Sequence, residues 1–175
     1  MINNRGITLI ELIIVISIIG ILVLALGFSF QGWIGGYNVE RGIKEMYIDL
    51  MNARARAMQK NRVHFVTLTV TQYTIYEDTN PALDGNGYLE TASDFKVLQK
   101  KLDSQYPITW SDIADLQIDF TKKGLSNDTK TICSNTKADA DYNCIEISAT
   151  RINLGKLTKK IPDGGACLSG NCVAK

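Results

Sequence analysis

Apolar and polar positions fall into three regimes along the chain. From Ile7 to Phe30 nearly every residue is Leu, Ile, Val, Phe, Ala or Gly, and no charge occurs between Glu11 and Glu40. At about 1.5 Å per residue, a helix over Ile7–Phe30 would rise roughly 36 Å, enough to cross a hydrocarbon core of about 30 Å. A buried core helix would be shorter or amphipathic. Beyond Gly36 the pattern changes. Val39, Ile43, Met46, Leu50, Ala53 and Ala57 recur at steps of three or four, with charged residues between them. That period predicts an amphipathic helix whose stripe lies against a sheet. Lys60-Asn61-Arg62 is its expected stop, since basic residues are favourable at a helix C-terminus. Unbroken from Ile7 to Lys60, such a helix would be roughly 80 Å long. That length in a small protein points to a shared bundle more than to a self-contained core.

The third regime alternates. Val63–Val70 and Gln72–Glu77, rich in Val, Thr, Tyr and Ile, predict a hairpin. Asp78–Gly87, with Pro81 and Asp84-Gly85-Asn86-Gly87, predicts a loop. Further strands are expected at Phe95–Leu102, Leu116–Phe120, Cys144–Ala149 and Leu154–Lys159. One long helix followed by short strands predicts an α+β fold, the helix packed on a small antiparallel β-sheet domain.

Composition narrows the function classes. The formal net charge is +1, so there is no global pull toward nucleic acid or acidic lipid. The mean hydropathy of −0.02 conceals the concentration of apolar residues at the N-terminus. Cys133, Cys144, Cys167 and Cys172 all lie in the polar half. An even count downstream of a membrane segment predicts disulfides in an oxidising compartment. Of the three possible pairings, the local one is favoured, Cys133–Cys144 with Cys167–Cys172, because it closes the shortest loops. No Cys-x-x-Cys occurs and the sole histidine, His64, is remote, so zinc is not expected. Asp78, Asn80, Asp84 and Asn86 do not match the spacing of a calcium loop. Asp112 with Asp115, and Asp139 with Asp141, are expected in solvated loops, since nothing in the sequence indicates the enclosed cleft and unequal environments that acid–base chemistry needs. No cofactor, metal or catalytic residue is expected.

The N-terminus carries the specific signal. Met-Ile-Asn-Asn-Arg-Gly precedes Ile-Thr-Leu-Ile-Glu, and the apolar run follows at once. An ordinary secretory signal is cut after its apolar core, beside small residues; here a short basic leader ends in glycine before the core begins. Arg5, Gly6, Ile7, Thr8, Leu9 and Glu11 resemble the leader of type IV pilin-like proteins. The resemblance implies that a prepilin peptidase cuts between Gly6 and Ile7 and methylates Ile7. Isoleucine stands where the family usually has phenylalanine. Glu11 becomes the fifth mature residue, the place of the family's signature glutamate. An ionised carboxylate in a bilayer costs on the order of 2.5–3.5 kcal/mol. The resemblance supplies its partner: the freed N-terminal amine of a neighbouring subunit, which neutralises it during assembly. Arg5, the basic residue before the span, keeps the N-terminus cytoplasmic and places the remainder beyond the inner membrane. Trp33 and Tyr37 suit an interfacial belt, and Gly32 with Gly36 makes a small-xxx-small step for helix contact.

A second resemblance lies at the helix end. Asn52-Ala53-Arg54-Ala55-Arg56-Ala57-Met58-Gln59-Lys60-Asn61-Arg62-Val63 is similar to the helix-to-strand junction of GspH/FimT-type minor pseudopilins, and Phe120 with Gly124 to their later sheet. The expected organisation is a leader at 1–6, a transmembrane and filament-core helix at 7–36, its amphipathic half at 37–61 and a β-rich globular domain at 62–175 held by two disulfides. The expected function is a minor pilin or pseudopilin of a type IV pilus or type II secretion filament, not an enzyme. Its partners would be other pilin subunits, the prepilin peptidase and the inner membrane, with secreted cargo also considered. A major pilin is the alternative. A DNA-binding minor pilin is another, resting on the basic segment Arg151, Lys156, Lys159 and Lys160.

Overall fold

The computed structural model describes residues 7–81 and 85–175, without the side chains of 25–31. Helix α1 runs over Leu9–Lys60, 52 residues, so it begins two residues later than predicted. The delay has a local cause. Thr8 adopts an extended conformation and caps the helix: its hydroxyl accepts from the Glu11 N–H at 3.3 Å, while Glu11 Oε2 accepts from the Thr8 N–H at 3.0 Å. This reciprocal box satisfies donors that the first turn leaves free. At the other end Asn61 turns into the left-handed region at φ 53°, a conformation asparagine tolerates better than most residues.

Among the described residues nine strands follow: β1 His64–Thr69, β2 Gln72–Glu77, β3 Phe95–Lys101, β4 Ile108–Trp110, β5 Gln117–Phe120, β6 Lys130–Ser134, β7 Cys144–Ile147, β8 Ile152–Leu157 and β9 Cys172–Ala174. They form two antiparallel sheets, one ordered β3-β2-β1-β5 and the other β4-β6-β7-β8-β9. The predicted stripe of α1 is the seam of the core. Val39, Ile43, Met46, Leu50, Ala53 and Ala57 are each 2% exposed or less, and they share one apolar cluster with residues of both sheets. Beside the cluster, the Tyr73 hydroxyl donates to Asp49 Oδ2 at 2.6 Å, tying β2 to the helix. Burial and the adjacent Asp49 carboxylate push the Tyr73 phenol far above its ordinary range, so it stays a donor.

Strands β4, β6 and β9 were not expected from the sequence. Two span three residues, too short to show a period of two. Strand β6 is buried at all five positions, including Lys130, so it has no alternation to read. Lys130 is 2% exposed, yet its ammonium donates to the Asp115 carboxylate at 2.8 Å and to the carbonyls of Asp115 and Gln117 at 2.9 and 2.5 Å. Three acceptors match its three donors, which permits a lysine in a central strand.

The disulfides correct the predicted pairing. Cys133 bonds Cys167, and Cys144 bonds Cys172. Cys133 and Cys144 lie directly opposite one another on β6 and β7, so both face one side of the sheet. The chain end folds back over that side and supplies both partners. Loop length favoured the local pairs, but the fold had already brought distant Cα atoms to 5.8 and 6.0 Å. Gly155 lies opposite Cys144 on β8, and a Cβ there would come within 2.9 Å of the Cys172 sulfur. The missing side chain lets the second disulfide pass over β8.

Candidate assembly site at the helix N-terminus

Gly6, one half of the expected Gly6–Ile7 cleavage site, and Arg5 before it lie outside the described residues. Ile7 is 80% exposed and opens the described chain. Every described side chain from Ile7 to Leu24 is exposed, and fourteen of these are Ile, Leu or Val. Among the described side chains of α1, burial begins at Gly35, against Tyr106 and Ala138. Half-exposed aliphatic side chains gain about 1 kcal/mol each when the remaining surface is buried, so this face represents on the order of 15 kcal/mol of unrealised burial. Among the described residues, no helix is long and apolar enough to cross a membrane. The stretch predicted to do so runs on through residues 25–31, whose side chains are not described. Trp33 and Tyr37, both largely exposed, close it.

Glu11 is the sole acidic group on this face, and Thr8 is its partner within the chain. Thr8 Oγ1 donates to Glu11 Oε2 at 2.9 Å, beside the backbone bond already described. These bonds engage Oε2, and the carboxylate remains on the helix surface within four residues of Ile7. The glycines divide by role. A Cβ on Gly32 would meet open space, whereas one on Gly36 would lie 2.0 Å from the Asp139 carbonyl oxygen. Gly36 therefore receives the chain's own loop before β7, and the predicted small-xxx-small step for a neighbouring helix is not available on that side.

The basic segment is not assembled into one patch. Lys156 pairs with Asp139 and Asp141 at 3.5 and 3.6 Å, and Lys160 with Asp139 at 3.5 Å. Lys175 also reaches Asp141, at 3.2 Å. Arg151 sits at the β7–β8 turn, while Lys159 lies past the far end of β8; eight extended residues separate them by about 26 Å. His64 is fully buried; its Nδ1 donates to the Arg62 carbonyl at 3.3 Å, and burial holds its pKa below the usual value. Asp78, also buried, accepts from the backbone of Asn86 and Gly87 at 3.1 and 2.7 Å and so clasps the loop. Asp84 of that loop lies outside the described residues. Among the described residues no cluster of His, Cys, Asp or Glu is arranged to hold a metal.

An exposed apolar helical half and a helix packed on antiparallel sheets give the chain a pilin-like fold. A family model for the prokaryotic N-terminal methylation motif matches residues 1–27. The fold is similar to that of the minor pseudopilin EPSH of the Vibrio cholerae type II secretion system, with a TM-score of 0.50, 9% identity, and coverage of 68% of this chain and 96% of that one. It is similar also to the type IV minor pilin FimU of Pseudomonas aeruginosa, with a TM-score of 0.50, 20% identity, and coverage of 67% and 88%. No curated protein sequence matches the chain.

Proposed function

We propose that this chain is a minor pilin or pseudopilin, a structural subunit of a type IV pilus or type II secretion filament with no catalytic role. It is cut between Gly6 and Ile7 and methylated at Ile7 by a prepilin peptidase. The apolar half of α1 then holds it in the inner membrane, N-terminus toward the cytoplasm, with the β-rich domain in the periplasm. On assembly the same apolar surface packs against other subunits, and Glu11 meets the N-terminal amine of a neighbour. The observation that carries this reading is the unbroken exposed surface of Ile7–Leu24, within the residues 1–27 that the methylation-motif model matches. An area worth about 15 kcal/mol in burial does not remain in water; a bilayer and then a helix bundle cover it in turn. Glu11 fits because its bonds to Thr8 give the carboxylate a local partner while the subunit waits in the membrane. The test is mass spectrometry of the protein from cell membranes. The expected mature chain begins at Ile7 and carries one methyl group. A functioning protein that keeps its first six residues refutes the reading. Glu11→Ala should stay in the membrane and lose incorporation into filaments, and normal incorporation would contradict the charge pairing.

A further inference from the structure

The two sheets have four edges, and three are closed to further pairing. Strands β4 and β9 are three residues long. The outer edge of β5 is engaged by the following loop: the Asp119 N–H donates to Asp128, the Asp119 carbonyl accepts from Asn127, and Phe120 bridges to Ser126. Strand β3 is different. At seven residues it is the longest strand, and it pairs only with β2 among the described residues. Pairing skips Val97, a bulge, because Ile75 faces Leu98 and Tyr76 faces Lys96. The Leu102 N–H donates inward to Thr71 at 2.8 Å. Antiparallel alternation then turns Leu98 and Lys100 toward β2, leaving the N–H and C=O groups of Gln99 and Lys101 directed outward.

A groove accompanies this edge. Strand β3 runs antiparallel to α1. A hollow of about 210 Å³ lies between Asn52 and Arg56 of the helix and Val97 and Leu98 of the strand. A second, of about 220 Å³, lies between Asn38 and Gly42 and the strand end at Lys101 and Leu102. A Cβ on Gly42 would meet nothing, so the helix side here is open. Charge selects the occupant. Arg41 and Lys100 are taken by Glu45 and Asp49. Arg56 and Lys101 have no carboxylate partner among the described residues, and Lys96 reaches the Gln99 amide, at 3.2 Å; Asp103, in the second hollow, is the acid they outnumber three to one.

We propose that the outer edge of β3 and the groove beside it are a docking site for an acidic, extended segment of a partner protein, which adds to the four-stranded sheet as a fifth strand. The outward backbone groups supply pairing, and the groove receives alternate side chains. The unpaired cations favour carboxylates on the incoming strand. A second copy of this chain using its own β3 is disfavoured, because the lysines of the two edges would oppose each other. The proposal does not depend on the filament reading.

The test uses the full-length protein in detergent and a fluorescein-labelled octapeptide alternating valine with glutamate, followed by anisotropy at low and physiological salt. Binding is expected, and it should be lost when alternate peptide nitrogens are N-methylated. Gln99→Pro removes an outward donor and should abolish binding. Arg56→Glu with Lys101→Glu touches only exposed side chains and should weaken binding about tenfold. Circular dichroism and melting confirm that the variants are folded. Absence of binding, equal binding of the N-methylated peptide, equal binding of a valine–lysine peptide, or dimerisation through β3 would each overturn the proposal.

Discussion

The disulfide pairing makes the sharpest prediction. In the chain-entropy account, a crosslink stabilises by the closure entropy it removes from the unfolded chain. For sequence separations of 34 and 28 this amounts to about 3.8 and 3.6 kcal/mol. Each value is a large share of the 5–15 kcal/mol typical of a domain. Three double variants separate the pairings. Cys133→Ser with Cys167→Ser, and Cys144→Ser with Cys172→Ser, each remove one bond and leave the other, so each should lose about 3–4 kcal/mol in denaturant unfolding. Cys133→Ser with Cys144→Ser breaks both bonds and strands Cys167 and Cys172 as free thiols. It should lose markedly more and react with two equivalents of thiol reagent. Non-reducing peptide mapping reads the connectivity directly. If the third variant instead retains one disulfide and is as stable as the other two, the pairing described above is wrong, and so is the placement of the chain end over β6–β8.

Other perturbations test the interior. Lys130→Met leaves the carbonyls of Asp115 and Gln117 unpaired and should cost about 2–4 kcal/mol in urea unfolding, despite matching the lysine in length. The same pair predicts an acid response. Asp115 pays for partial desolvation, but Lys130 and the Gln117 N–H together hold its pKa below the usual carboxylate value. Its contribution is therefore present above its unfolded pKa, about 3.9, and fades as pH falls through the lower folded value. Acid titrations of wild type and Lys130→Met should differ most in that window. Gly36→Val forces the loop at Asp139 away from α1 and should raise proteolysis between β6 and β7, whereas Gly32→Val, facing open space, should not.

The sequence alone specified the elements whose physical signature is local and repetitive. The step of three and four from Val39 to Ala57 was legible because a helix returns a side chain to one face every turn, and each of those residues is buried. The hairpin at β1 and β2 was legible because two runs rich in β-branched and aromatic residues stand either side of a two-residue turn, Val70-Thr71. The N-terminal motif was legible as a pattern: Arg5, Gly6 and Ile7 stand ahead of one carboxylate set in an apolar run, within the stretch that the methylation-motif model matches. Tertiary structure decided everything that depends on which distant segments meet. Lys130 lies in a stretch given no strand, and its burial makes sense only once Asp115 and Gln117 accept its three hydrogen bonds. Gly36 reads as a site for another helix until the loop at Asp139 fills it. Four cysteines carry no record of their partners, because a disulfide is chosen by through-space distance, and that distance is set only once two sheets, a helix and the chain end have packed together.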